Sequence, residues 1–220
     1  MATSSPTTTT EFSSYEAYLR RFGDLQARGA VSIVHRSLSF RRYLALREGR
    51  SHEDLERSLF PPAGAALRVY LASPLGFSES GTAYREELHD ALSALGAEVL
   101  DPWDDAVFPG RIEEALAIGR QNFRLIESCG RVLAVLDGPD VDSGVACELG
   151  YAHVLGLRLD GIRSDGRAAG ECPALAVNLQ VATTIVTSGG RIVRSVDELP
   201  TLEWQRPRLP STLVDAVTQA

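Results

Sequence analysis

Lysine is absent. All 22 basic residues are arginine, which removes the phosphate loops that need a Gly-Lys pair, pyridoxal chemistry and any lysine Schiff base. Cysteine is scarce. Cys129, Cys147 and Cys172 form no CxxC pair and leave an odd thiol, which speaks against a disulfide framework and against a zinc site. Reduced thiols are expected, with Cys147 as a small buried hydrophobe. No run approaches the roughly 18 apolar residues that a membrane helix needs. Residues 1–14 lack a basic segment followed by an apolar one, so a soluble cytoplasmic protein with no membrane partner is expected. Positive charge is short where it would matter for nucleic acid. Residues 1–60 hold nine arginines against seven acids, but residues 61–220 hold thirteen against twenty-two. A region that acidic is a poor binder of nucleic acid, because neutralising phosphates supplies most of that affinity.

What is present is 44% hydrophobic content in 220 residues, enough for one good core plus an extension. Residues 1–13 are rich in Ser and Thr and are expected to be disordered. Residues 14–66 carry weak helical spacing, as in Tyr15, Leu19, Phe22 and Leu25, and read as a helical extension that ends at the breaker Pro61-Pro62. From 67 to 205 the grammar is alternating strands and helices, and 206–220 is a tail. Val69-Tyr70-Leu71-Ala72 reads as a buried strand. A helix is expected from about Thr82 with Gly96 as its stop, then a strand at Glu98-Val99-Leu100. Ile112, Leu116, Gly119, Phe123 and Ile126 mark an amphipathic helix before a strand at 131–136. A further helix runs from near Asp142 to about Leu155, with strand-like segments at 157–162 and 183–186. This order predicts an α/β fold, a flavodoxin/Rossmann-like parallel sheet with helices on both faces. Such sheets bind ligands at the carboxyl ends of their strands.

Those ends are where polar residues gather. The first strand runs into Ser73, Pro74 and Phe77, the second into Asp101-Pro102-Trp103-Asp104, and the third into the segment 137–142 and the helix bearing Glu148. Asp142 suits a helix N-cap, and Glu148 lies six residues on, in the second turn, where the positive helix end helps keep it ionised. An ionised, partly buried carboxylate beside a binding loop is what nucleophilic attack on a sugar carbon requires. Gly76-Phe77-Ser78-Glu79-Ser80 misses the GxSxG elbow at its last position, which argues against a serine hydrolase.

Val69-Tyr70-Leu71-Ala72-Ser73-Pro74, Ile118-Gly119-Arg120-Gln121-Asn122, the D-x-G-x-x-x-E-x-G-x-A run from Asp142 to Ala152, Ser164-Asp165-Gly166-Arg167 and Asn178-Leu179 resemble the nucleoside 2-deoxyribosyltransferase family in content, order and spacing. The resemblance implies that Glu148 is the nucleophile forming a deoxyribosyl ester. It implies that Asp142 holds the substrate beside it, that Tyr70 lies near the nucleophile and that Phe77 covers the base. Ser73, Pro74 and Asp104 are expected to line the same pocket. Asn178 is similar to a family asparagine that enters the neighbouring subunit's site, which implies a homo-oligomer. Asn122 stands where many members place an aspartate that exchanges a proton with the base, and Gln180 stands where methionine is usual.

Three functions follow as expectations. The first is base exchange on 2-deoxynucleosides, with a free nucleobase as acceptor and no cofactor. The second is an N-glycosidase of nucleosides or of their 5-monophosphates. Against the monophosphates, the loop 73–77 has no arginine and Asp142 would repel a phosphate. The third is a non-catalytic nucleoside sensor.

Overall fold

The computed structural model describes residues 66–104, 109–202 and 204, all within the compact unit Arg57–Arg208. The expected tail at 1–13, the terminus 206–220 and, apart from Ala66, the extension at 14–66 lie outside the described residues. Among the described residues five strands alternate with four α-helices: β1 (Leu67–Ala72), α1 (Glu79–Ala94), β2 (Ala97–Leu100), α2 (Ile112–Glu127), β3 (Arg131–Val135), α3 (Ser143–Val154), β4 (Arg158–Ile162), α4 (Leu179–Thr187) and β5 (Ile192–Val193). Short 3-10 turns lie at Leu75–Phe77 and Val196–Thr201. Among the described residues no helix is long and apolar enough to cross a membrane.

The sheet runs β2-β1-β3-β4-β5 and every pair is parallel, with Tyr70 opposite Leu100 on one side and Val132 on the other. This order reverses direction between β1 and β3, and at such a switch point the two flanking loops diverge to leave a crevice. Val69 through Ala72 and all of β3 are buried, as strands covered on both faces must be. Strand alternation then divides their side chains. Val69 and Leu71 enter a core with Leu88 and Leu92 of α1, Leu133, Val135, Leu199 and Leu202. Tyr70 therefore points to the opposite face, where α3 packs on β1, β3 and β4. Burying Leu88 and Leu92 completely stabilises the fold by about 1.5–3 kcal/mol each.

Two boundaries differ from the sequence expectation. Helix α1 begins three residues before Thr82, because the Ser78 hydroxyl accepts from the Gly81 N–H at 3.1 Å and caps it. Gly96, at φ 79°, ends it as expected. Residues 183–186 are helical, not a strand. Their β-branched run mimics a strand, but Asn178 caps the segment by accepting from Gln180 N at 2.9 Å, and Val181, Ala182 and Ile185 form one buried helical face. The last strand is instead the two-residue β5.

At the amino-terminal end of the sheet Arg131 and Asp160, with side chains 1% and 0% exposed, form an ion pair across β3 and β4. Arg131 Nε donates to Asp160 Oδ2 at 2.7 Å, and its guanidinium lies 4.1 Å from the centre of the Trp204 ring. The other Asp160 oxygen accepts from Arg191 N at 3.1 Å.

Candidate active site

At the opposite end, α3 starts at the carboxyl edge of the sheet and presents Glu148 one turn and a half below its cap. The Tyr70 hydroxyl donates to Glu148 Oε1 at 2.7 Å, and Asn122 Nδ2 approaches the same oxygen at 3.4 Å. Three elements thus meet on one atom: β1, α2 and α3. The Tyr70 ring is fully buried, and burial together with the adjacent carboxylate pushes its hydroxyl far above the usual tyrosine range. Tyr70 is therefore a proton donor held in place, with no tendency to ionise. Burial likewise raises the Glu148 carboxyl above its ordinary value of 4.5, while the hydrogen bonds from Tyr70 and Asn122 pull it back and the negative charge of Asp142 adds to the rise. Loss of water thus outweighs the two donors, and the Tyr70 and Asn122 side chains are the groups that favour the charged form of the carboxyl.

Asp142 caps α3, its Oδ1 accepting from Gly144 N at 2.8 Å and Val145 N at 3.1 Å. Its second oxygen has no hydrogen-bond donor among the described residues. The residue that caps α3 is thus also the carboxylate whose charge is felt by Glu148.

The loop after β1 forms a second group. Ser73 is buried, and its Oγ has no hydrogen-bond partner among the described residues. Its carbonyl accepts from Trp103 Nε1 at 2.8 Å. Pro74 starts the 3-10 turn, and Trp103 lies so close over Gly76 that a Cβ there would come within 2.1 Å of the indole. Phe77 packs edge-on against Trp103 with ring centres 4.6 Å apart, yet is 69% exposed. Trp103 is in turn fixed by Asp101, whose Oδ1 accepts the Trp103 N–H at 2.9 Å. Burial raises the Asp101 carboxyl, and the Trp103 N–H and Arg85 oppose the rise.

Of the residues named from sequence, Tyr70, Asn122, Asp142 and Glu148 come together, and Ser73, Pro74 and Phe77 form the adjoining loop. Asp104 lies at the outer edge of the second group: its N–H donates to the Asp101 carbonyl at 3.2 Å, and its exposed carboxylate faces Arg85 and His89 at 3.7 Å. Asn178 caps α4 and donates from Nδ2 to Glu171 Oε1 at 2.6 Å, with no contact to Glu148 of its own chain. Cys147 is exposed, not buried, because it lies on the α3 face turned away from the sheet. Sequence reasoning missed Arg163. It is buried at the end of β4 and donates to the carbonyls of Leu136, Gly138 and Arg167, tying the loops after β3 and β4 together. An arginine directly after an apolar strand was the available signal.

Comparison with known proteins bears on the whole arrangement. Uncharacterized protein C191.05c of Schizosaccharomyces pombe is 32% identical over 108 residues, 45% of this chain and 51% of that protein, so the chain spans about half the length of this curated relative. A conserved protein from Enterococcus faecalis V583 superposes with a TM-score of 0.50 at 22% identity, over 71% of this chain and 100% of that one, a likeness of fold. A 2-deoxyribosyltransferase from Bacillus psychrosaccharolyticus superposes with a TM-score of 0.49 at 20% identity, over 66% of this chain and 95% of that one. The sequence profile described as Nucleoside 2-deoxyribosyltransferase matches residues 69–187, from the third residue of β1 to the last of α4. That span is more than half of the chain and encloses Tyr70, Asn122, Asp142, Glu148 and Asn178, so the chain belongs to the nucleoside 2-deoxyribosyltransferase family.

Proposed function

We propose that the protein exchanges the base of 2-deoxyribonucleosides through a covalent deoxyribosyl ester on Glu148. The observation that carries this reading is the one-sided anchoring of the carboxylate. Tyr70 and Asn122 both hold Oε1, and no described residue donates to Oε2. Oε2 is thereby free to attack the anomeric carbon. The carbon–nitrogen bond breaks, its electron pair leaves with the base, and the base takes a proton from solvent. A second base then attacks the ester carbon, gives up its N–H proton to solvent and regenerates the carboxylate, with net retention over two displacements. No cofactor enters. Asn122 is an amide and cannot exchange a proton with the base, so its task is to orient Glu148. Asp142 accepts a sugar hydroxyl on its uncommitted oxygen, and Ser73 Oγ supplies a further polar contact. With Asp142 there and no arginine in the loop 73–77, free nucleosides are preferred over 5-monophosphates. Asn178 reaches the site of a neighbouring subunit, as in the family it resembles.

The test is incubation with deoxyinosine, with and without free adenine, following both nucleosides and free sugar. Deoxyadenosine should appear only when adenine is supplied, with little deoxyribose released. Sugar release at the same rate in both arms would replace the transferase by an N-glycosidase.

A further inference from the structure

The loop between β1 and α1 is clamped on every side that the described residues offer. Ser73 is buried, and Leu75 packs against the core under α1. Its far end is pressed onto α1, since a Cβ on Gly81 would come within 2.1 Å of the Leu75 carbonyl oxygen. Its outer side is closed by Trp103, from the turn after β2. The indole N–H donates to the Ser73 carbonyl at 2.8 Å, and the ring lies so close over Gly76 that no larger residue fits there. Trp103 is itself held from beneath. Its backbone N–H donates to Asp101 Oδ1 at 2.9 Å, and the other Asp101 oxygen lies 3.5 Å from Arg85 of α1, with the Asp101 side chain fully buried. What this frame carries outward is Phe77, packed edge-on against Trp103 and 69% exposed.

An exposed aromatic ring forgoes the contacts that an interior would give it. Holding one in a rigid frame suits a flat ligand that completes its packing. The loop leaves the carboxyl end of β1, the strand whose Tyr70 reaches Glu148. We propose that Trp103 is a positioning residue for the base of the substrate. It acts through Phe77, whose exposed surface stacks on the nucleobase, and it touches no reacting atom. This role rests on the nucleoside reading of the site. Because Trp103 sets the Phe77 ring in advance, the ring need not be ordered when the base arrives. The gain therefore falls on affinity for the base and not on the attack by Glu148.

Calorimetric titration of deoxyinosine into the full chain carrying Glu148→Ala measures binding without turnover. Adding Trp103→Leu should weaken binding by about tenfold at unchanged stoichiometry, the order of one base-stacking contact. Trp103→Phe keeps a ring over Gly76 but loses the N–H to the Ser73 carbonyl, and should fall between. Phe77→Ala should cost as much as Trp103→Leu, and the two together should cost no more than either, because the indole acts through that ring. With Glu148 restored, the same pattern should appear as a rise in KM with kcat held. Losses that multiply, or a Trp103→Leu chain with fewer binding sites at unchanged Kd and a lower kcat at unchanged KM, would make Trp103 a purely structural residue and overturn the proposal. Where Trp103→Leu does not fold, Trp103→Phe carries the same cycle. Either overturning result in a chain that exchanges bases removes Trp103 and leaves the reaction. Deoxyinosine bound but never cleaved by wild type removes the reaction and leaves the Trp103 cycle to be read in Kd. A wild-type chain that neither binds nor cleaves deoxyinosine overturns both.

Discussion

The two ends of the sheet both bury charge, and they do so differently. At the amino-terminal end Asp160 is closed in by Arg131, Arg158 and the Arg191 N–H, with Trp204 covering the guanidinium. At the carboxyl end Glu148 has no ion-pair partner among the described residues, only two neutral donors on one oxygen and a second carboxylate nearby. A pair that is mutually satisfied holds strands together. A partly buried carboxylate left half-satisfied stores reactivity, because burial has removed part of its water without supplying a counter-charge.

The largest separation should come from Glu148→Gln. Base exchange should fall by about four orders of magnitude or more, as when a covalent nucleophile is removed, while the melting temperature holds or rises. The pH dependence of stability gives the reason. The folded carboxyl sits above the ordinary 4.5, so the unfolded chain releases its proton first as pH rises. Stability contributed by this group is therefore lost between 4.5 and the raised folded value, and the amide removes that loss. A Glu148→Gln protein that melts lower at neutral pH would break the comparison.

Asp160→Asn should behave in reverse. It strips the partner from a buried guanidinium and should destabilise the fold by about 3–5 kcal/mol in chemical denaturation, with kcat/KM unchanged per folded molecule. A folded but inactive variant would mean that the two ends are coupled.

Tyr70→Phe sharpens the contrast. It deletes one donor to Glu148 and should lower kcat/KM by about tenfold or more, the value of a hydrogen bond to a charged group. Since that bond pulls the Glu148 carboxyl down, its loss should shift the acid limb of the pH–rate profile to higher pH. A purely structural tyrosine would leave the limb where it was.

The smallest effect concerns sharing between subunits. Glu148→Ala and Asn178→Ala chains should each be inactive, but mixed dimers collect both defects in one site and neither in the other. Random exchange in a dimer should recover about a quarter of wild-type activity. No recovery despite demonstrated chain mixing would remove Asn178 from the neighbouring site.

Much of this was legible because buried parallel strands read as short apolar runs and because D-x-G-x-x-x-E places Asp142 and Glu148 at fixed helical positions. The strand assigned to 183–186 went wrong where local propensity opposed tertiary contact: a β-branched run was overruled by the Asn178 cap and a buried face. Asp104 looked equivalent to its neighbours in sequence, but the turn held by Asp101 points it at Arg85 and His89.

By itself the sequence determined the order of strands and helices as far as β4, the absence of lysine chemistry and the residue that caps α3, all of which depend on residue type and short spacing. Only the tertiary structure decided that Tyr70 and Asn122 share one oxygen of Glu148, 78 and 26 residues away in the chain. It also decided that the amphipathic face of α2 is left largely uncovered by the described residues. Periodicity reports that a helix has an apolar side. Which surface covers that side, and which carboxylate loses its water, is set by where the sheet reverses direction.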